Sequence, residues 1–141
     1  MMNKIKLEIE ALPENVALAR VMTSAFVSIY DPNMSELSDI TTAVSEAVTN
    51  AIIHGYGENE GAVRMSLSAE NRVITIEICD DGAGIENIES AREPLFTTKP
   101  EMERSGLGFT VMEEFMDVVE VKSSIGEGTS IVLKKELGGE V

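Results

Sequence analysis

Glu46, Asn50 and His54 recur every four residues in the segment Ser45-Glu46-Ala47-Val48-Thr49-Asn50-Ala51-Ile52-Ile53-His54-Gly55-Tyr56. On a helix that spacing stacks the three side chains along one face. The residues between them (Ala47, Val48, Ala51, Ile52) are small or apolar and suit packing against a sheet. A carboxylate and an amide one turn apart can take a proton from a hydroxyl and hold a hydrated divalent cation. Mg²⁺ prefers oxygen ligands, keeps several waters, and takes one or two protein ligands besides substrate phosphates. A solvated helix stripe would show the same Glu/Asn pair, so the reading depends on what else the chain supplies.

Two glycine clusters supply more. Asp80-Asp81-Gly82-Ala83-Gly84 follows a strand pattern, and Gly106-Leu107-Gly108 precedes a helix pattern. A carboxylate at a strand end, followed by glycines that permit sharp turning and close approach, suits the edge of a flat polar ring. A tight turn capped by an aspartate fits the same residues. Glycines opening a helix leave unpaired N–H groups at its positive end, which favours phosphate, although a plain loop-to-helix junction looks alike. Familiar nucleotide motifs are missing. There is no G-x-x-x-x-G-K-[ST], Asn87 and Val111 stand where G-x-G-x-x-G needs its third glycine, and neither H-R-D nor D-F-G occurs.

The elements that must position these residues are legible from periodicity. Asn3 to Glu10 alternates apolar and charged residues, as a half-buried strand does. Glu14 to Tyr30 has a helical rhythm and ends at Asp31-Pro32-Asn33. Ser35 is a candidate N-cap, with Asp39 one position beyond the capping-box site. The next helix runs to Gly55, which is placed to end it, and 57–61 reads as a polar loop. Val63–Ala69 and Val73–Cys79 form a hairpin around Glu70-Asn71-Arg72. Ile85–Arg92 suggests a short helix, and Pro94–Ser105 a polar stretch. A helix then covers Phe109–Met116, and a second hairpin joins Val118–Ser123 to Thr129–Lys135 through Gly126-Glu127-Gly128. Five strands in hairpins without strict β-α-β alternation predict an α/β two-layer sandwich. Its sheet would be mixed and mostly antiparallel, with helices on one face.

Composition narrows the function further. A length of 141 residues suits a single domain, 1–141, with its own core. The lone cysteine, Cys79, excludes an internal disulfide and a cysteine-based zinc cluster. No leader or transmembrane-length apolar run is read, so a cytoplasmic protein without a membrane partner is expected. A net charge of −14 argues against a direct nucleic-acid surface. With no Trp and only two Tyr, base-stacking platforms are scarce as well. In so negative a field, a nucleotide has to be held by backbone amides, a metal and a few local cations.

Taken in order, these pieces resemble the ATP-binding domains of the gyrase, Hsp90, histidine-kinase and MutL class, whose nucleotide-binding architecture is the Bergerat-type fold. Glu46 to Asn50 resembles its N-box, Asp80-x-Gly82-x-Gly84 its first glycine box and Gly106-x-Gly108 its second. Gly128-Thr129 is similar to its distal Gly-Thr element. The stretches Val44–Tyr56 and Pro94–Pro100 further resemble the sporulation anti-sigma factor serine kinases of spore-forming bacteria.

The resemblance implies ATP/ADP and Mg²⁺ as cofactors, with Glu46 as general base and Asn50 as the Mg²⁺ ligand. It implies that Asp80 accepts the adenine amino group with Thr129 in support. Gly82 and Gly84 would shape the purine pocket, and Gly106 and Gly108 would line the phosphates. Thr97, Thr98, Lys99, Arg104 and Ser105 would belong to the ATP lid, where Lys99 and Arg104 are cations within reach of the γ-phosphate. The implied partners are a sigma factor of the sigma-F type, with Arg20 as a candidate contact, and an anti-anti-sigma protein as the serine substrate. A homodimer is expected by analogy. Two alternatives stay open at this point: a nucleotide-gated binding module without kinase activity, and an anti-sigma kinase serving a stress sigma factor.

Overall fold

A computed structural model of the chain describes residues 1–85 and 108–138. The elements are β1 (Asn3–Glu10), α1 (Asn15–Ser28), α2 (Met34–Thr49), a π-helical segment (Asn50–Tyr56), β2 (Ala62–Glu70), β3 (Val73–Asp80), α3 (Gly108–Phe115), β4 (Val118–Ser124) and β5 (Gly128–Glu136). The strands form one sheet in the order β1-β2-β3-β5-β4. Every ladder is antiparallel, so the expected mixture contains no parallel pair among the described residues.

Alternation dictates which face of the sheet is covered. Met65 stands opposite Ile78, Leu67 opposite Ile76, and Ile76 opposite Leu133. These side chains are fully or almost fully buried beneath the helices. Burying one Ile or Leu is worth about 1.5–3 kcal/mol, so this stripe sets the register firmly: a one-residue slip would expose all of it. The helices answer with Ala19, Phe26 and Val27 from α1 and Ile40, Ala43, Val44, Ala47 and Val48 from α2.

Two local details differ from the sequence expectation, and a third refines the expected hairpin. Helix α2 is capped by Asn33, not Ser35. The Asn33 side chain accepts from the Glu36 amide at 2.7 Å, and Glu36 accepts from the Asn33 amide at 2.9 Å, completing a capping box one turn earlier than Asp39 would allow. The same Glu36 accepts from the Gly138 amide at 2.7 Å, tying the C-terminal segment to the start of α2. Secondly, α-helical geometry ends at Thr49, the chain winds on as a π-helix, and Gly57 rather than Gly55 ends it at φ +62°. Thirdly, the β2–β3 turn is held by Asn71 and Arg72, both at positive φ, which matches the twist of a two-residue hairpin. Arg72 is fixed there by donating to the Tyr30 and Leu137 carbonyls.

The expected short helix over Ile85–Arg92 and the polar stretch Pro94–Ser105 lie outside the described residues, except Ile85. The predicted strands and the helix beginning near Phe109 all occur within a residue or two of their expected bounds. Among the described residues no helix is long and apolar enough to cross a membrane.

Candidate functional site

Three chain segments converge at one end of the sheet: the α2/π-helix junction, the turn after β3, and the start of α3. Glu46 lies in the last turns of α2 and Asn50 at its C-terminal boundary. Gly108 opens α3 directly against them. A methyl group placed on Gly108 would lie 3.3 Å from Asn50 Nδ2 and 3.4 Å from Glu46 Oε1. A glycine here therefore lets the helix start approach the carboxylate and amide closely. The N-terminus of α3 thus packs directly against the polar face of α2.

The π-helix changes the phase of the residues beyond Asn50. Its i→i+5 bonding widens each turn, so His54 takes a different angular position relative to Asn50 than an ideal α-helix would give it. His54 instead borders an open hollow of about 350 Å³ with Gly55, Tyr56, Glu58, Asn59 and Ala83. The wider turn also carries the backbone of Gly55 onto the first glycine turn. The Gly55 carbonyl accepts from the Ala83 amide at 2.7 Å. A Cβ on Gly82 would fall 2.1 Å from that same carbonyl oxygen, so only glycine fits there.

Asp80 ends β3, 6% exposed, and stands opposite Thr129 in the β3–β5 ladder. Its carboxylate accepts from the Gly82 amide at 2.8 Å. Burial pushes the Asp80 carboxyl above its ordinary range. The Gly82 and Thr129 amides oppose that rise, neighbouring Asp81 adds to it, and Arg64 opposes it weakly. The result is a buried acceptor held by backbone amides at the mouth of a glycine turn. A Cβ on Gly55 would sit 2.8 Å from its Oδ1, so Gly55 gives this carboxylate its room.

The surroundings of that turn are built to hold it. Tyr56 Oη accepts from the Asp81 amide at 2.8 Å and donates to the Ala62 carbonyl at 2.7 Å. Arg64 grips Asp81 through two bonds at 2.7 and 3.2 Å, which draws the Asp81 carboxyl below its ordinary range. Gly84, at φ +82°, passes against the Ser124 carbonyl, where a side chain would clash. Ser123 Oγ accepts from the Ile85 amide at 2.7 Å and lies 2.8 Å from Thr129 Oγ1. Thr129 is thereby oriented by the strand beside it.

Of the residues expected at a site, Glu46, Asn50 and Gly108 thus meet where α3 starts against α2, and Asp80, Gly82, Gly84 and Thr129 meet around the turn after β3. Arg20 is elsewhere, exposed on α1, a helix that packs on α2 and β2. Thr97, Thr98, Lys99, Arg104, Ser105 and Gly106 lie outside the described residues. Sequence reasoning passed over Gly55, Tyr56 and Ser123. A Gly-Tyr pair at the end of the N-box helix was a visible signal, but read as a helix stop it concealed the backbone contact with Ala83.

The sequence profile of the histidine kinase-like ATPase domain matches residues 9–135. An anti-sigma F factor of Bacillus subtilis strain 168 is 55% identical over 138 residues, covering 97% of this chain and 94% of that protein. The chain belongs to the anti-sigma F factor family. Anti-sigma F factors of Geobacillus sp. strain WCH70, 55% identical over 96% of this chain and 93% of that protein, and of Clostridium acetobutylicum, 53% identical over 95% and 94%, agree. Among solved structures, the RsbU and RsbW domains of Rv1364c from Mycobacterium tuberculosis superpose with a TM-score of 0.68 at 16% identity. That match spans 96% of this chain and 32% of the other, and it shows the shared fold. The family is an ATPase-type one, so these segments belong to a nucleotide-binding domain.

Proposed function

We propose that this chain holds a sigma factor of the sigma-F type inactive and transfers the γ-phosphoryl group of ATP to a serine of an anti-anti-sigma protein. The observation that carries the reading is the approach of Gly108 to Glu46 and Asn50. It sets a carboxylate, an amide and a helix N-terminus side by side, in a chain more than half identical to anti-sigma F factors.

In this reading Asp80 accepts from the adenine amino group, and its buried, amide-held oxygens give the recognition direction. Thr129 supports it, while Gly82 and Gly84 let the ring approach the turn. Gly108 and the first amides of α3 would face the phosphates, where unpaired N–H groups favour negative charge, and the family resemblance assigns Gly106 to the same role. Asn50 would hold Mg²⁺ through its amide oxygen. The donor set fits that ion, since Mg²⁺ completes its shell with waters and phosphate oxygens and needs no protein cage. When bound, the metal neutralises charge developing on the phosphates. Glu46 takes the proton of the attacking serine hydroxyl. The family resemblance assigns Thr97, Thr98, Lys99, Arg104 and Ser105 to a lid for the γ-phosphate, with Lys99 and Arg104 as its cations. Arg20 contributes to protein recognition on α1.

Phosphoryl transfer depends chiefly on positioning and charge neutralisation, and a positioned base adds about 10²–10⁴-fold in rate. Incubating the chain with Mg·ATP and the anti-anti-sigma protein, then mapping the product by mass spectrometry, should find phosphoserine. Glu46→Ala should lose that product by a comparable factor while keeping nucleotide affinity within severalfold. A variant that phosphorylates at the wild-type rate would reduce Glu46 to a surface carboxylate.

A further inference from the structure

Arg64, on β2, stands opposite the carboxylate of Glu8 in the β1 ladder. Both of its short bonds go instead to Asp81, at 2.7 and 3.2 Å, at the end of the sheet where the glycine turn begins. A planar guanidinium that meets a carboxylate through two nitrogens fixes the plane and direction of that carboxylate. The backbone of Asp81 is held as well. Its amide donates to Tyr56 Oη, which donates in turn to the Ala62 carbonyl, on the same strand as Arg64. Gly61 leaves the Tyr56 ring its place, since a Cβ there would overlap the ring. β2 thus anchors the first residue of the turn twice, once through its side chain and once through its backbone.

What this grip governs is the neighbouring carboxylate. Asp80 is buried and Asp81 exposed, so the two acids share a peptide but not an environment. The Asp80 carboxylate accepts from the Gly82 amide, one residue beyond Asp81. A swing of the Asp81 backbone would therefore move the donor that directs Asp80. Charge acts alongside geometry. Burial is the chief reason that the Asp80 carboxyl keeps its proton; Asp81 adds to that tendency and Arg64 opposes it. Elsewhere around the turn, β5 brings the uncharged Thr129, β3 brings Cys79, and the π-helix brings His54 and Tyr56. An exposed ion pair adds little to stability, so Arg64 has its larger effect through the buried acid next to its partner.

We propose that Arg64 is a positioning residue for the nucleotide site: by gripping Asp81 it fixes the start of the glycine turn and offsets the negative charge beside Asp80, so that Asp80 meets the purine amino group as a directed, ionised acceptor. Arg64 acts through Asp81 and touches no nucleotide itself. The proposal rests on the reading of Asp80 as the adenine acceptor, and its test keeps the two apart.

Titration calorimetry of the full chain with ADP across pH is that test. Arg64→Met keeps the aliphatic stem and removes the charge. It should bind ADP about two- to fivefold more weakly at neutral pH, the scale of one exposed ion pair. On acidification its affinity should begin to fall at a higher pH than in wild type, because an unopposed Asp81 makes Asp80 take up its proton earlier. Arg64→Lys keeps the charge without the two-pronged grip and should lie between the two. Adding Asp81→Asn to Arg64→Met removes the unopposed charge and should bring the pH profile back toward wild type. Urea midpoints of the Arg64 variants should stay near wild type; a merely structural pair would lower stability and affinity together and leave the profile in place. Asp80→Asn binding ADP as tightly as wild type would remove Asp80 as the acceptor. Weakened binding by Asp80→Asn, combined with an Arg64→Met profile that coincides with wild type, would overturn the role of Arg64 alone. So would a double variant as displaced as Arg64→Met, or Arg64→Lys no closer to wild type than Arg64→Met.

Discussion

Asp80 is the proposed adenine acceptor, and its environment makes a pH prediction. Burial penalises the ionised form, so the folded chain holds this proton more tightly than an unfolded one. The penalty on stability is complete above the raised folded pKa and disappears below the ordinary carboxylate range, so this group's contribution to stability falls as pH rises between them. Adenine affinity has the opposite trend. It should decline as pH drops through the raised pKa, at higher pH than an exposed carboxylate would titrate. Asp80→Asn should bind ADP about 10–100-fold more weakly, the loss expected for a hydrogen bond to a charged acceptor, and its affinity should be flat over the same range. Calorimetry across pH checks both. A wild-type affinity that tracks only an ordinary aspartate would remove the role assigned to burial.

At the scale of elements, the π-helix is what joins the two halves of the site. It carries Gly55 onto Ala83 and Tyr56 onto Asp81, so the glycine turn is held from the helix side by backbone and phenol together. Tyr56→Phe keeps the ring packing and removes both phenol bonds, leaving the Ala62 carbonyl and the Asp81 amide to find other partners. Thermal or urea unfolding should show a loss of about 1–3 kcal/mol, with nucleotide affinity reduced as well. Unchanged affinity would mean the turn holds its shape without the clamp. Helix α2 offers a cleaner case: Asn33→Ala should cost about 0.5–2 kcal/mol through the lost cap, with little effect on ADP binding. Urea midpoints for that variant and for Ser35→Ala, which should be near neutral, will separate the two candidate caps.

These elements also show what the sequence could convey. Strict alternation in β1, β2, β3 and β5 carried the strand bounds, because a half-buried face leaves its period in the residue types. Glu46 and Asn50 were legible as a polar helix face and Asp80 as a carboxylate at a strand end, whereas Thr129 entered only through the family resemblance. The π-helix was not. Its residues Ala51, Ile52 and Ile53 fit an α-helical period equally well, and only the tertiary demand of Gly55 on Ala83 and Gly82 distinguishes the two. The capping shift has the same origin. Asn33 and Ser35 are both good caps locally, and the reciprocal bond with Glu36 decides between them.

The whole molecule carries a net charge of −14, yet its family is one that binds a polyanion. Oriented amides, a metal and a few cations then have to overcome the general field, so nucleotide affinity should depend strongly on divalent cation. The acidity also favours recognition of a basic protein surface over nucleic acid. Binding of nucleotide and of sigma factor must be reciprocally coupled if one gates the other. Capture of the sigma factor should therefore be tighter with ATP than with ADP, and equal capture in both states would remove the switch. The most direct test of the account is titration calorimetry of the purified chain with Mg·ATP. The expected result is saturable binding of one nucleotide per chain, weakened by Asp80→Asn and by removal of Mg²⁺. A folded chain that takes up no adenine nucleotide at millimolar concentration would contradict it.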